Sequence, residues 1–214
     1  VNPKSNSELK LLAKPWRGAE GLAEDVRYYG EWMRDEAQKK IGHLYPKIEV
    51  TAEMVSKRPD LAPYEGQKLT VIAWLLARTV KSPNPAFSHV DVPLVSTFML
   101  STKKGKEHYV QPVIEGDSYR FEVRAGVPED PDAAKAGTKL GRGANFRCLV
   151  SQTVMDPKHI YAEARSGQMG ARLMTIVTEG KRSRVYLSPT EAMEAVAKQA
   201  SPDWAPDLEM PKNP

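Results

Sequence analysis

A long amphipathic segment near the N-terminus constrains the fold of this chain more than any other feature. Between residues 19 and 41, apolar residues recur at steps of three and four with charged residues between them; the apolar positions are Leu22, Val26, Tyr29, Met33 and Ala37. This is the period of an α-helix with one apolar face. Acidic residues early and lysines late suit the helix dipole. The sequence therefore predicts one long helix that ends at Gly42.

Length and composition predict a folded chain. Its 214 residues are 41% hydrophobic and 27% charged, which suits one domain with a helical arm. The longest apolar run, 71–77, is too short to cross a bilayer, and the start of the sequence lacks a secretion signal. A single cysteine, Cys148, favours a reducing compartment. We therefore expect a cytoplasmic protein with no membrane partner.

Strand patterns follow in the middle of the chain. Residues 68–80 form a strand-like apolar segment, and residues 119–124 alternate between apolar and charged side chains. Alternation with a period of two is typical of a half-buried strand. Glycines at Gly105 and Gly116 mark turns between the neighbouring apolar segments. Together these patterns predict an antiparallel β-meander.

Helices are predicted again towards the C-terminus. Residues 157–167 and 170–179 are interpreted as helical, and a last helix runs to about residue 199. Ser188 is predicted to cap that helix, and Pro189 suits its first turn. The fold class is therefore α+β, with the meander flanked by a long N-terminal helix and C-terminal helices.

Three regions follow from these patterns. Residues 1–66 are predicted to form an N-terminal helical arm and linker. Residues 67–200 form the α+β domain that holds the meander. Residues 201–214 contain four prolines and are predicted to be a tail.

Positive charge is concentrated in one part of the sequence. Residues 134–184 contain ten basic and three acidic side chains, whereas the rest of the chain has a net charge of −3. Such asymmetry is typical of a surface that faces a polyanion, because phosphate neutralisation drives nucleic-acid association. A solvated basic face is the alternative, and charge alone favours that alternative.

Three basic runs lie at predicted turns or loops that contain or follow a glycine, where side chains and backbone amides can reach phosphates. The predicted nucleic-acid-binding residues are Lys103, Lys104, Lys106, Lys139, Arg142, Arg147, Lys181, Arg182 and Arg184. Phe146, within the run at residues 139–147, is better suited to the core than to stacking on a base. DNA is therefore an expected partner.

Catalytic and metal-binding residues are not predicted in this chain. Asn84 lies in Asn-Pro-Ala-Phe, which is similar to an amino-methyltransferase loop but lacks its second proline. A glycine-rich loop for S-adenosylmethionine is also missing, so Asn84 is interpreted as a turn residue. The four histidines have no zinc-ligand spacing, and Cys148 lies in an apolar run typical of a buried cysteine.

Several segments resemble one family of proteins. The likeness covers most of the chain, at residues 22–30, 75–87, 92–94, 100–105, 170–174 and 184–190. These segments are similar to a middle part of large bacterial and archaeal DNA methylases that carry an embedded zinc-ribbon module. The resemblance implies S-adenosylmethionine as the cofactor of the relatives, with the methyltransferase motifs outside this stretch.

The resemblance also implies a ribbon that has lost its metal. The positions of the relatives' zinc-binding cysteines correspond to Ser82, Phe87, Cys148 and Ser151, of which this chain keeps one cysteine. Serine is a poor zinc ligand and phenylalanine is none. A metal-free zinc ribbon that folds by packing is therefore expected, with no cofactor in this chain.

Three functions follow as hypotheses. The first is a DNA-contacting accessory or target-recognition module of a DNA methyltransferase, which acts with a methyltransferase-like parent chain or partner. The second is a protein-interaction or dimerisation module, with a homodimer formed through the stripe of residues 22–37. The third, a remote alternative, is a self-sufficient S-adenosylmethionine-dependent methyltransferase that uses Asn84.

Overall fold

The computed structural model describes residues 18–181 and 183–200. They belong to two compact units, of which the first ends at Pro46 and the second begins at Lys47. The first unit contains helix α1 (Glu20–Ile41) and a 3-10 helix (Gly42–Leu44), so the predicted long N-terminal helix is confirmed. Gly42 keeps a right-handed helical conformation and continues into the 3-10 turn. None of the described helices is long and apolar enough to span a membrane.

A five-stranded antiparallel sheet forms the centre of the second unit. Its strands are β1 (Lys47–Glu49), β2 (Lys68–Lys81), β3 (Asp91–Pro93), β9 (Gly170–Gly180) and β10 (Ser183–Leu187). Their order is β1-β2-β9-β10, and β3 pairs with the end of β2. Most of this sheet therefore depends on the pairing of β2 with β9, two strands far apart in the sequence.

Two smaller antiparallel sheets and four helices complete the second unit. The three-stranded sheet consists of β4 (Met99–Ser101), β5 (His108–Glu115) and β6 (Ser118–Ala125), and the two-stranded ribbon of β7 (Phe146–Arg147) and β8 (Val154–Met155). The helices are α2 (Ala52–Lys57), α3 (Pro131–Ala136), α4 (Pro157–Arg165) and α5 (Glu191–Lys198). Short 3-10 helices cover Pro59–Tyr64 and Pro85–Phe87.

Two apolar clusters form the core of this unit. One cluster joins the end of β2 to the three-stranded sheet and the ribbon, through buried residues that include Val80, Val110, Phe121, Cys148 and Met155. The other packs β2, β9 and β10 against α2, through Val50, Val71, Leu173, Ile176 and Leu187. Removal of this apolar area from water is what stabilises the unit most.

The fold class is confirmed at the level of a mixed fold of helices and antiparallel sheets with a long N-terminal helix. The predicted meander corresponds to β4, β5 and β6 only, because β2 belongs to the central sheet, where it pairs with β9 as well as with β1 and β3. Residues 47–66, which the sequence patterns assign to the N-terminal arm, belong to the second unit, since β1 pairs with β2.

Two local predictions were wrong. Residues 170–179 form strand β9 and not a helix: β2 and β10 pair with it on its two sides, and it contains the β-branched residues Thr175, Ile176 and Val177. The cap of α5 is Thr190, whose side chain accepts a hydrogen bond from the Met193 N–H. The Ser188 hydroxyl is engaged elsewhere, where it accepts the Val123 N–H over 2.9 Å.

Candidate nucleic-acid interface

The first basic run forms the turn between β4 and β5. Lys103, Lys104 and Lys106 are exposed. The N–H of Lys106 donates to the carbonyl oxygen of Lys103 over 2.8 Å and closes the turn. Gly105 has a φ of +74°, a conformation that glycine adopts at little cost. One tight, exposed turn therefore carries three ammonium groups.

The second run forms the turn between β9 and β10. Lys181 and Arg184 are exposed, and Arg182 lies outside the described residues. The N–H of Lys181 donates to the Tyr64 hydroxyl over 3.3 Å, which ties the turn to the Pro59–Tyr64 segment. The described cations of this run therefore stand on an anchored hairpin.

Tyr186 connects these two turns. Its hydroxyl donates to the carbonyl oxygen of Leu100 over 3.3 Å, and its ring centroid is 5.4 Å from that of His108. Leu100 lies in β4 and His108 begins β5, so both strands that flank the lysine turn contact β10. Arg184 lies two residues before Tyr186, on the same face of β10.

These contacts bring the first two runs to one side of the second unit. We call this set the first basic surface: Lys103, Lys104, Lys106, Lys181 and Arg184. Its members come from segments far apart in the sequence, and the hydrogen bond between Tyr186 and Leu100 holds those segments together.

The third run lies in the loop before β7 and in that strand. Lys139 is half-buried and forms a β-bridge with Phe146, whereas Arg142 and Arg147 are exposed. The N–H of Leu140 donates to the Asn145 carbonyl oxygen over 2.8 Å, which closes the loop. We call Lys139, Arg142 and Arg147 the second basic surface.

The two basic surfaces lie at different ends of the central sheet. The N–H of Arg147 donates to the Thr138 carbonyl, and the Thr138 hydroxyl donates to the Pro93 carbonyl. Pro93 pairs with Thr79, near the end of β2, whereas Val71, near its start, pairs with β9 close to the β9–β10 turn. The strand from Val71 to Thr79 spans on the order of 25 Å. The structure therefore does not join all three runs into one patch.

The cations of both surfaces are available to an external anion. Within residues 18–181 and 183–200, none of their eight described members lies within 4.0 Å of a carboxylate oxygen. Other cations of the second unit are ion-paired: Lys57 with Glu53, Arg124 with Glu122 and Lys198 with Glu194. Exposed cations without such partners suit contacts to phosphate.

The turn with the first two implied ligand positions begins at Ser82, which is buried. Its hydroxyl accepts the Asn84 N–H over 3.3 Å, and the Asn84 side chain accepts the Ala86 N–H over 3.1 Å. Asn84 thereby caps the Pro85–Phe87 3-10 helix. Phe87 packs against the same apolar cluster as Cys148. The Asn84 side chain is thus engaged within its own turn.

The turn with the other two positions lies between β7 and β8. Cys148 is fully buried, and its Sγ accepts the Ser151 N–H over 3.4 Å. Its backbone N–H donates to the Thr153 carbonyl over 2.9 Å, and its carbonyl accepts the Gln152 N–H over 3.1 Å. Gln152 has a φ of +59°, which strains a residue with a Cβ.

Thr153 links the two turns. Its hydroxyl oxygen lies 3.1 Å from the Ser151 hydroxyl and 3.5 Å from the Asn84 side-chain nitrogen, which donates to it. All four implied positions therefore belong to two turns that hydrogen bonds and a shared apolar cluster connect. Among the described residues, no group of three or more His, Cys, Asp or Glu side chains is arranged to hold a metal ion.

A half-buried ion pair fastens α2 and the following segment to the sheets. The Arg58 guanidinium donates to both Asp60 carboxylate oxygens over 2.6 Å, and to the Val123 carbonyl over 3.0 Å. Nε2 of His108 lies 3.4 Å from the same carboxylate. Burial alone would raise the pKa of Asp60, but the hydrogen bonds from Arg58 and His108 outweigh it and hold that pKa well below its usual range.

The sequence patterns gave no sign of a cleft of about 830 Å³ between β6 and the start of α5. Its charged lining includes Arg120, Arg124, Arg172, Glu122, Glu191 and Glu194. The Arg172 guanidinium lies 4.2 Å from the centroid of the Tyr119 ring, and burial raises the pKa of that phenol to about 12. Because both signs of charge line this cleft, a charge count along the sequence cancels and does not reveal it.

Comparison of the chain with protein-family models, with curated proteins and with solved structures yields no match. The chain's own residues and their geometry are therefore what support a function.

Proposed function

We propose that this chain is a DNA-contacting accessory or target-recognition module of a DNA methyltransferase. The first basic surface carries the proposal: its five described cations are exposed, lie on two turns joined through Tyr186, and have no carboxylate partner in the described part of the chain. Neutralisation of phosphates by such groups drives DNA association.

The methyltransferase context rests on the resemblance to large DNA methylases. In this proposal a parent chain or partner binds S-adenosylmethionine and transfers the methyl group, while this chain holds the DNA. The zinc-ribbon origin of the Ser82, Phe87, Cys148 and Ser151 turns belongs to the same proposal. The hydrogen bonds through Thr153 support it, since they hold together the turns that a metal would hold in a ribbon.

Duplex binding as a function of salt tests the DNA contact. We expect the affinity of the full chain for a short duplex to fall as salt rises. In a plot of the logarithm of the association constant against the logarithm of the salt concentration, the steepness of the line should decrease by about 0.9 for each phosphate contact removed. Replacement of Lys103, Lys104 and Arg184 by glutamine removes three such contacts and should lower both affinity and slope.

The matched control removes three paired cations, with glutamine at Lys57, Arg124 and Lys198. Both triple variants lose the same charge, so a general electrostatic effect would weaken them equally. We expect a much smaller loss in the control. Absence of duplex binding at low salt, or equal losses in the two variants, contradicts the proposal.

A homodimer formed through α1 is the second candidate function. In the first unit, Leu22, Val26 and Met33 of this helix are 68, 65 and 63% exposed. A second copy of the same stripe would cover them, as in a two-helix seam. Sedimentation equilibrium tests this candidate. The dimer is supported if the measured mass rises with protein concentration and if replacement of Leu22 and Val26 by glutamate returns the mass to the monomer value. A monomer at all concentrations rejects it.

A further inference from the structure

An apolar groove of about 580 Å³ lies between β2, α4 and the loop before β7. Its lining includes Leu76, Leu94, Phe146, Tyr161, Met169 and Met174. Tyr161 is 55% exposed and Leu76 is 40% exposed, so an aromatic ring and aliphatic surface face water here. A groove of this size falls within the range of small-ligand sites.

Cations border the groove. On α4, Lys158 and Arg165 lie three residues before and four after Tyr161, and therefore share its face of the helix. Arg78 lines the groove from β2, and Arg142 lies in the loop that closes its third side. All four cations are exposed, and within the described residues none is within 4.0 Å of a carboxylate oxygen.

None of the described residues that line the groove is acidic. Glu163, the one carboxylate within α4, lies two residues after Tyr161 and therefore about 200° around the helix from it. The groove thus combines an apolar floor, an exposed aromatic ring and a rim of one charge sign. This combination complements an unstacked nucleotide, whose base has an apolar π face and whose phosphates are anionic.

We infer that this groove binds an unstacked nucleobase of single-stranded or locally opened DNA, with the base against Tyr161 and Phe146 and the flanking phosphates beside Lys158, Arg165, Arg78 and Arg142. The inference rests on the proposed function and names the form of DNA that this end of the sheet recognises. Duplex contact and base capture are then tasks of two surfaces, the first basic surface and this groove.

The test uses a short single-stranded DNA with 2-aminopurine at its centre, titrated with the full chain at low salt. Stacking of the fluorescent base on an aromatic ring quenches its emission. We expect quenching by the native chain, an affinity about tenfold lower for Tyr161→Ala, and near-native affinity for Tyr161→Phe, which keeps the ring. Duplex affinity should change less than twofold in both variants.

Several outcomes overturn the inference and leave the proposed function standing. One is native single-strand affinity in Tyr161→Ala while duplex binding still depends on Lys103, Lys104 and Arg184. Another is that polyglutamate of equal charge displaces the 2-aminopurine strand as well as unlabelled single-stranded DNA does, because the groove would then recognise charge without a base. Tighter binding of an RNA strand of the same sequence also overturns it, and tighter binding of DNA supports it. If neither duplex nor single-stranded DNA binds at low salt, the proposed function is contradicted as well.

Discussion

The hydroxyl of Tyr186 donates a hydrogen bond to the backbone carbonyl of Leu100 over 3.3 Å and joins the central sheet to the three-stranded sheet. Tyr186 lies 86 residues after Leu100 in the sequence, and the basic turns next to each become neighbours through this contact. The Tyr186 side chain therefore helps to hold the two turns of the first basic surface side by side.

Replacement of Tyr186 by phenylalanine should lower the free energy of unfolding by about 1 kcal/mol, because the Leu100 carbonyl loses its donor while the ring and its packing remain. Urea denaturation measures the change. Tyr161→Phe is the matched control, since that side chain is 55% exposed, and its effect should stay within about 0.5 kcal/mol. Equal effects in the two variants would contradict the role of the bond.

The two basic surfaces should act independently on duplex DNA. They lie on the order of 25 Å apart along β2, too far for their side chains to contact each other or the same phosphate. Losses in binding free energy from Lys103→Gln with Lys104→Gln, and from Arg142→Gln with Arg147→Gln, should add to within about 0.5 kcal/mol in the combined variant. Titration at one fixed salt concentration measures all four proteins. Strong non-additivity would show that the surfaces form one site.

Asp60 should make stability depend on pH in acid. Its pKa is depressed in the folded state, so the stability that its ion pair contributes is fully present above its ordinary pKa of 3.8 and is lost as pH falls below that value. Asp60→Asn should cost about 2 kcal/mol at pH 7, and the difference from the native chain should shrink below about pH 4.

Chemical denaturation at a series of pH values measures this difference. Glu115→Gln is the control, since its pair with Arg120 is exposed and should contribute about 0.5 kcal/mol or less at any pH. A cost of Asp60→Asn that stays constant down to pH 2 would show that the carboxylate is not the titrating group.

Gln152→Gly should stabilise the protein by about 0.5 kcal/mol. The native φ of +59° strains a residue with a Cβ, and glycine removes that strain, although the side-chain hydrogen bond to the Leu149 carbonyl is lost. Gln152→Ala separates the two effects, because it loses the same bond and keeps the strain, so it should be less stable than native. Thermal unfolding distinguishes the three proteins; a glycine variant no more stable than the alanine variant would contradict the strain.

Gly137→Ala should destabilise the second unit by about 3 kcal/mol or more. An added Cβ would overlap the Val95 carbonyl oxygen and lie 2.9 Å from the Thr97 nitrogen, at a φ of +64°. Gly141→Ala is the matched control: its φ is +57°, but nothing lies within 4 Å of the added Cβ, so only the backbone cost of about 1 kcal/mol applies. Similar costs in denaturation would show that the approach of the Val95 segment is not tight.

Sequence patterns predicted correctly those helices and strands that depend on residues close together in the sequence. The three- and four-residue steps of α1 and the alternation within β6 involve neighbours along one segment, and both elements form where those patterns predict. Residues 170–179 show the limit of such patterns. Both Val177 and Thr178 are buried, because this central strand packs on both faces, so its sequence does not alternate and resembles a buried helix.

Short segments of the sequence are enough to predict which cations this protein carries and that its basic runs lie at turns or loops with glycine, since charge and turn chemistry are local properties. The fold adds the positions of these runs: those at residues 103–106 and 181–184 meet through Tyr186 and Leu100, while that at residues 139–147 lies at the other end of β2. It alone also brought Leu76, Phe146 and Tyr161 around one groove. Contacts of this kind depend on the pairing of β2 with β9 and on the packing of distant segments, and the free energy that selects them comes from burial of the whole core and not from any one stretch of chain.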